Sequence, residues 1–114
     1  MATKTVDLDF NKNEDENKLK VSKLKQELSD IHLGGGEKRI AKLKSQGKMT
    51  ARERVTYLID NGSDFLEIGA FAGYEMYEEY GGCPAGGVVT GIGNVSGQQC
   101  VIVANDATVK AGAW

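Results

Sequence analysis

The first third of the chain carries apolar residues at helical spacing. Leu19, Val21, Leu24, Leu28 and Ile31 predict a helix from Lys18 to Leu33 with one buried stripe. Gly34-Gly35-Gly36 stops it, because glycine tolerates the left-handed conformation that ends helices. A second helix is predicted from Glu37 to about Ser45, with Ile40 and Leu43 facing inward and Gly47 closing it. Thr50 then stands three residues before Glu53, the spacing of a capping box. The helix that follows, Ala51 to Ile59, is expected to bury Val55, Leu58 and Ile59 and to end in the turn cluster Asp60-Asn61-Gly62-Ser63.

After Ser63 the period changes. Phe65 to Ile68 reads as a short strand, and the aromatic, acidic run Phe71 to Tyr80 as loop or short helix. Gly81-Gly82-Cys83-Pro84 is a break. Residues 87–93 and 99–104 are β-rich runs that flank Val95-Ser96-Gly97-Gln98, so a hairpin is predicted there. Helices followed by hairpin layers make an α+β arrangement. A hairpin that exposes Val101 to Val103 on two faces needs more sheet and helix to cover it. The expectation is therefore a fragment of a longer polypeptide. Residues 1–17 hold five acids and few apolar residues. They read as a flexible acidic arm or a helix lead-in, leaving 18–114 as one small domain.

Composition narrows the function classes. The 114 residues suffice for one modest core. Fifteen glycines against one proline suggest tight turns and close backbone approaches. A net charge of −2 supplies no global basic field for nucleic acid. No apolar run reaches membrane-spanning length. Cys83 and Cys100 lie outside any CxxC spacing and read as two reduced thiols, although a disulfide between them stays open. Met1 to Glu16 lacks both an apolar core and arginine, so a cytoplasmic location is expected.

Charge is ordered along the chain. From Gly36 to Arg54 there are seven bases, Lys38, Arg39, Lys42, Lys44, Lys48, Arg52 and Arg54, against two acids. From Asp60 to Tyr80 there are six acids and no base. One reading is a solvated helix face beside an acidic loop. The other is an anion-binding surface, in which a glycine-preceded helix and nearby arginines meet phosphate. Nucleotide-loop motifs are absent: Gly47-Lys48 is followed by Met49, and Gly91-Ile92-Gly93 lies within the hairpin, where glycine serves strand twist or a bulge. His32, the one histidine, sits at a helix end, where a cation suits the dipole. A metal site or a Ser/His/Asp triad has little to build on. At the other end, Ala104 to Ala113 runs from a strand into small residues. Main-chain N–H groups at Ala111 and Gly112 are candidate oxyanion donors, against the alternative of a plain strand exit.

Several ordered motifs resemble one family. Residues 34–40 (GGGEKRI), 47–55 (GKMTARERV) and 58–60 (LID) resemble the opening of carboxyltransferase (beta) subunits of biotin-dependent acyl-CoA carboxylases. Residues 84–93 (PAGGVVTGIG) continue in register, and 104–112 (ANDATVKAG) is most similar to the methylcrotonyl-CoA carboxylase branch. The resemblance implies a crotonase-like α/β fold, of which this chain would be the start of the acyl-CoA-binding amino-terminal domain. It implies transfer of carboxylate from carboxybiotin, held on a carrier that a biotin carboxylase component loads, to an acyl-CoA such as 3-methylcrotonyl-CoA or propionyl-CoA. It implies a homo-oligomer of the full subunit, and a fragment that is inactive alone. Position by position, Ala111 and Gly112 match the first oxyanion hole, while Arg39, Lys48, Arg52 and Arg54 match a basic motif that contacts CoA. Arg52 and Arg54 are equally readable as structural, paired with acids such as Glu53 or Asp60. The alternative from another class is a non-catalytic helix-plus-hairpin module whose basic stretch meets an acidic partner.

Overall fold

A computed structural model describes residues 2–113, with side chains from residue 7 onward. Met1 and Trp114, the outer limits of the expected arm and domain, lie outside the described residues. The first helix, α1, runs over Ala2–His32. The stretch 2–17 is therefore helical. By internal packing the chain divides after Asp30. In the first unit Leu19, Val21 and Leu24 of the apolar stripe are exposed, and Ile31, in the second unit, is the member that is buried.

The second unit contains α2 (Glu37–Ser45), α3 (Ala51–Leu58) and three strands, β1 (Leu66–Ile68), β2 (Val88–Val95) and β3 (Gln98–Asn105). Gly47, at φ 73°, reverses the chain after α2. Its N–H donates to the Lys44 carbonyl and that of Lys48 to the Leu43 carbonyl, the pattern that satisfies the last open carbonyls of a helix. The capping box forms as expected: the Glu53 N–H donates to Thr50 Oγ1 and the Thr50 N–H to Glu53 Oε2, each at 3.2 Å. Lys44 Nζ reaches Glu53 Oε1 at 2.8 Å and ties α2 to α3.

The sheet is antiparallel in the order β1-β2-β3. Ser96 and Gly97 turn the hairpin with φ of 52° and 79°, both left-handed, as a two-residue turn requires. The Asp60 carboxylate accepts from both of their N–H groups, at 2.7 and 2.8 Å. Asp60 is thus spent on the hairpin tip and not on an arginine. The β2–β3 register runs unbroken from Val88–Asn105 to Val95–Gln98, so no bulge sits at Gly91 or Gly93. A Cβ at Gly91 would overlap the Leu66 carbonyl and the Phe65 ring, and one at Gly93 would stand 2.9 Å from Ile59. These glycines make room for packing.

Because side chains alternate across a strand, the sheet has two distinct faces. On one, Val89, Ile102 and Ala104 pack against Ala51 and Val55 of α3, with Ile59 and Phe65 at the margin. Leu58 stays exposed, and Ala51 takes the inward place expected for it. The other face carries the rows Leu66–Ile92–Val101 and Ile68–Thr90–Val103. Leu66, Ile68, Val101 and Val103 are exposed there. One face is covered, not neither.

Candidate functional site

The Gly34-Gly35-Gly36 run does more than end α1. A Cβ at Gly35 would overlap the Thr108 carbonyl, and one at Gly34 would stand 2.5 Å from Asp106 Oδ2 and 2.8 Å from Thr108 Oγ1. Only glycine admits the strand-end segment 106–108 at this range. The Gly35 N–H donates to Thr108 Oγ1 at 2.9 Å, and one Arg39 guanidinium N–H donates to the Thr108 carbonyl at 3.1 Å. Thr108 in turn points its hydroxyl at Asp106 Oδ1 at 2.5 Å, and the same oxygen accepts the Thr108 N–H at 2.9 Å. The Thr108 side chain is buried, with every polar group partnered.

Immediately downstream the backbone turns sharply. Lys110, Ala111 and Gly112 have φ of 45°, 57° and 80°. Two consecutive non-glycine residues in this region cost roughly 1–3 kcal/mol each, so the surroundings must hold them. Val109, fully buried, anchors the turn from beneath. The Gly112 N–H donates to the Val109 carbonyl and the Ala113 N–H to that of Lys110. The Ala111 N–H has no acceptor among the described residues. Of the two candidate oxyanion donors, Ala111 is therefore open and Gly112 is engaged within the turn.

Beside this turn lies an open cavity of about 600 Å³. Its walls include Arg39, Lys42, Lys48 and Lys110, together with Leu43, Thr108 and Ala111, and no acid. The Lys110 ammonium also lies 4.9 Å from the centre of the Tyr77 ring and 5.9 Å from that of Tyr80, which brings the aromatic, acidic loop alongside. A cationic wall beside this turn suits a ligand that carries phosphate.

The basic motif splits in the fold. Arg39 and Lys48 reach this cavity. Arg52 does not: its guanidinium forms two hydrogen bonds to Glu67 on β1, at 2.7 and 2.8 Å. Those bonds hold the Glu67 carboxyl below the usual glutamate range, against the opposing effect of burial. Arg54 lines a separate groove with Tyr57, Leu58 and Val103. His32 is also drawn to Glu67, with Nε2 3.3 Å from Oε2, so its partner is a side chain as well as a helix end. The pairing acid expected at Glu53 or Asp60 is Glu67.

Thr108 and Lys110 line the cavity beside Lys42, and Asp106 holds Thr108, although residue type singled out none of these three. Lys42 stands three residues after Arg39, on the same helix face, and that spacing is a signal the sequence holds. The Thr108 bonds span 69 and 73 positions, and no local pattern announces them.

Comparison with known proteins identifies the family. The carboxyl transferase domain matches residues 42–114. The methylcrotonoyl-CoA carboxylase beta chain of Dictyostelium discoideum is 51% identical over 96 residues, 82% of this chain and 16% of its own length. The probable counterpart from Drosophila melanogaster is 49% identical over 94 residues, with the same coverage. Both are named as mitochondrial. A solved transcarboxylase 12S, a hexamer with methylmalonyl-coenzyme A bound, superposes with a TM-score of 0.75 at 39% identity. That match covers 84% of this chain and 19% of the transcarboxylase. The chain thus spans less than a fifth of the length of these relatives. With the family model matched over more than half its residues and the crotonase-like α/β neighbours superposing on it, the chain belongs to the carboxyl transferase domain family.

Proposed function

We propose that the chain is the opening part of the acyl-CoA half of a biotin-dependent acyl-CoA carboxylase's carboxyltransferase component. The full subunit moves carboxylate from carboxybiotin to an acyl-CoA, with 3-methylcrotonyl-CoA and propionyl-CoA as the leading substrates. The observation that carries this reading is the cavity lined by Arg39, Lys42 and Lys48 together with Ala111, whose N–H has no acceptor among the described residues. The cations take the phosphates of CoA. The Ala111 N–H faces the thioester oxygen, where negative charge grows as the acyl group becomes an enolate, and a donor placed there lowers that barrier. Gly112 contributes by permitting the turn. Carboxybiotin arrives on a carrier domain or subunit as the carboxyl donor, and no residue of this chain is assigned to hold it. The working protein is a cytoplasmic homo-oligomer, a reading the hexameric transcarboxylase 12S supports as to assembly.

Calorimetric titration of the chain with CoA and a short acyl-CoA tests the reading. Binding that weakens with salt, with amide shifts in residues 36–54 and 107–114, is expected. Saturating ligand with neither heat nor shift sinks the site. The chain alone is expected to bind without turnover. A protein extended to the relatives' length is expected to transfer carboxylate, and one inactive toward every branched and straight acyl-CoA tried overturns the assignment.

A further inference from the structure

We propose that Thr108 is a positioning residue for the Ala111 N–H. It is held by Asp106, Gly35 and Arg39 so that the turn after it keeps a left-handed backbone. The inference rests on the reading of Ala111 as the thioester-facing donor, and it adds the residues that aim that donor. Lys110 and Ala111 both occupy a region that side chains disfavour, and left alone they would relax toward negative φ, swinging the N–H away. Something upstream must fix where the turn begins. Thr108 meets that need with every polar group it has: the hydroxyl accepts from Gly35 and donates to Asp106, the N–H donates to Asp106, and the carbonyl accepts from Arg39. It is the buried polar side chain of the described residues. Asp106 is fixed in turn, its N–H donating to the Gly87 carbonyl at 2.9 Å and its carbonyl accepting from Val109 at 3.0 Å. The chain from the end of β3 to Val109 is thereby pinned on one side by the glycine run and on the other by α2.

The arrangement has a functional corollary. Arg39 both walls the cavity and grips the Thr108 carbonyl. A phosphate drawing on Arg39 acts on the same residue that sets the donor, so the CoA end and the thioester end of one ligand meet through a single side chain.

The test uses the intact chain and three variants: Thr108→Val, which keeps the shape and removes the hydroxyl; Thr108→Ser, which restores it; and Asp106→Ala. Residues with positive φ give a strong intraresidue amide-to-Hα NOE. In Thr108→Val this signature is expected to vanish at Lys110 and Ala111, while contacts between Val55 and Val89 persist and Thr108→Ser retains it. Should Thr108→Val fail to fold, Asp106→Ala is expected to give the same result. In the ligand arm, the preference for a short acyl-CoA over CoA itself is expected to fall about fivefold in Thr108→Val, the size of one hydrogen bond. CoA affinity is expected to fall less than that of the short acyl-CoA. Persistence of the left-handed signature in the variants, or an equal loss for both ligands, overturns the proposal. If the parent chain binds neither ligand, the CoA site itself fails, and the backbone signature alone decides whether Thr108 sets the turn.

Discussion

Arg52 on α3 and Glu67 on β1 meet in a two-pronged ion pair, with guanidinium nitrogens 2.7 and 2.8 Å from the two carboxylate oxygens. The Glu67 side chain is only 15% exposed, and His32 approaches the same carboxylate. This pair welds the third helix to the edge strand and removes Arg52 from the ligand site. Its consequence is a pH dependence of stability. The folded-state pKa of Glu67 lies below its ordinary value of 4.5, first because of the Arg52 hydrogen bonds. The pair therefore contributes fully above that ordinary value, and its contribution is lost as pH falls through the lowered one. Thermal melts of the parent and Glu67→Gln are expected to differ by a constant amount near neutrality and to converge below pH 4.5. Arg52→Ala is expected to cost about 2 kcal/mol, since it strips a largely buried carboxylate of its main partner. A parent-to-variant gap that widens on acidification would contradict this account.

The glycine run makes a second claim. Gly35 is barred from carrying a side chain by the Thr108 carbonyl, whereas Gly47 has open space and is required for its positive φ. Gly35→Ala is expected to destabilise by about 1–3 kcal/mol through forced separation of the two segments. Gly47→Ala is expected to cost about 1 kcal/mol through backbone conformation. Asparagine, which tolerates left-handed geometry, should recover part of the loss at Gly47 and none at Gly35. Denaturant midpoints of the four variants decide the matter, and a rescue at Gly35 would refute the steric explanation.

Neighbours on β3 are expected to behave oppositely. Ile102 points into the core and Val101 to the exposed face. Ile102→Ala should cost about 2–5 kcal/mol through lost burial and the cavity left behind. Val101→Thr should change stability by less than about 0.5 kcal/mol. Equal effects in chemical denaturation would show that the register given for β2 and β3 is wrong.

The cavity cations can be separated from the other bases by binding alone. Lys42→Ala and Lys48→Ala are each expected to weaken CoA binding about three- to tenfold and to flatten its salt dependence, because each removes a charge from the phosphate end. Arg54→Ala, in its separate groove, is expected to leave affinity unchanged. Calorimetry at two ionic strengths reads both effects, and a loss confined to Arg54→Ala would relocate the site.

The local elements are written in the chain itself. The bounds of α2, the Thr50–Glu53 cap, the closure at Gly47 and the Ser96-Gly97 hairpin rest on interactions among residues a few positions apart, so spacing and residue type suffice to read them. The ordered motifs between Gly34 and Gly112 carried the family as well. How the bases divide depends on contacts made in the fold. Arg39 and Lys48 face a cavity, Arg52 is taken by Glu67, and Arg54 turns to another groove. The fold likewise decides which sheet face α3 covers, and that Thr108 and Asp106 close against the glycine run. The physical reason is range. A cap or a turn is settled by the backbone's own geometry, whereas a guanidinium chooses among carboxylates, carbonyls and solvent that folding brings near from 15 to 69 positions away.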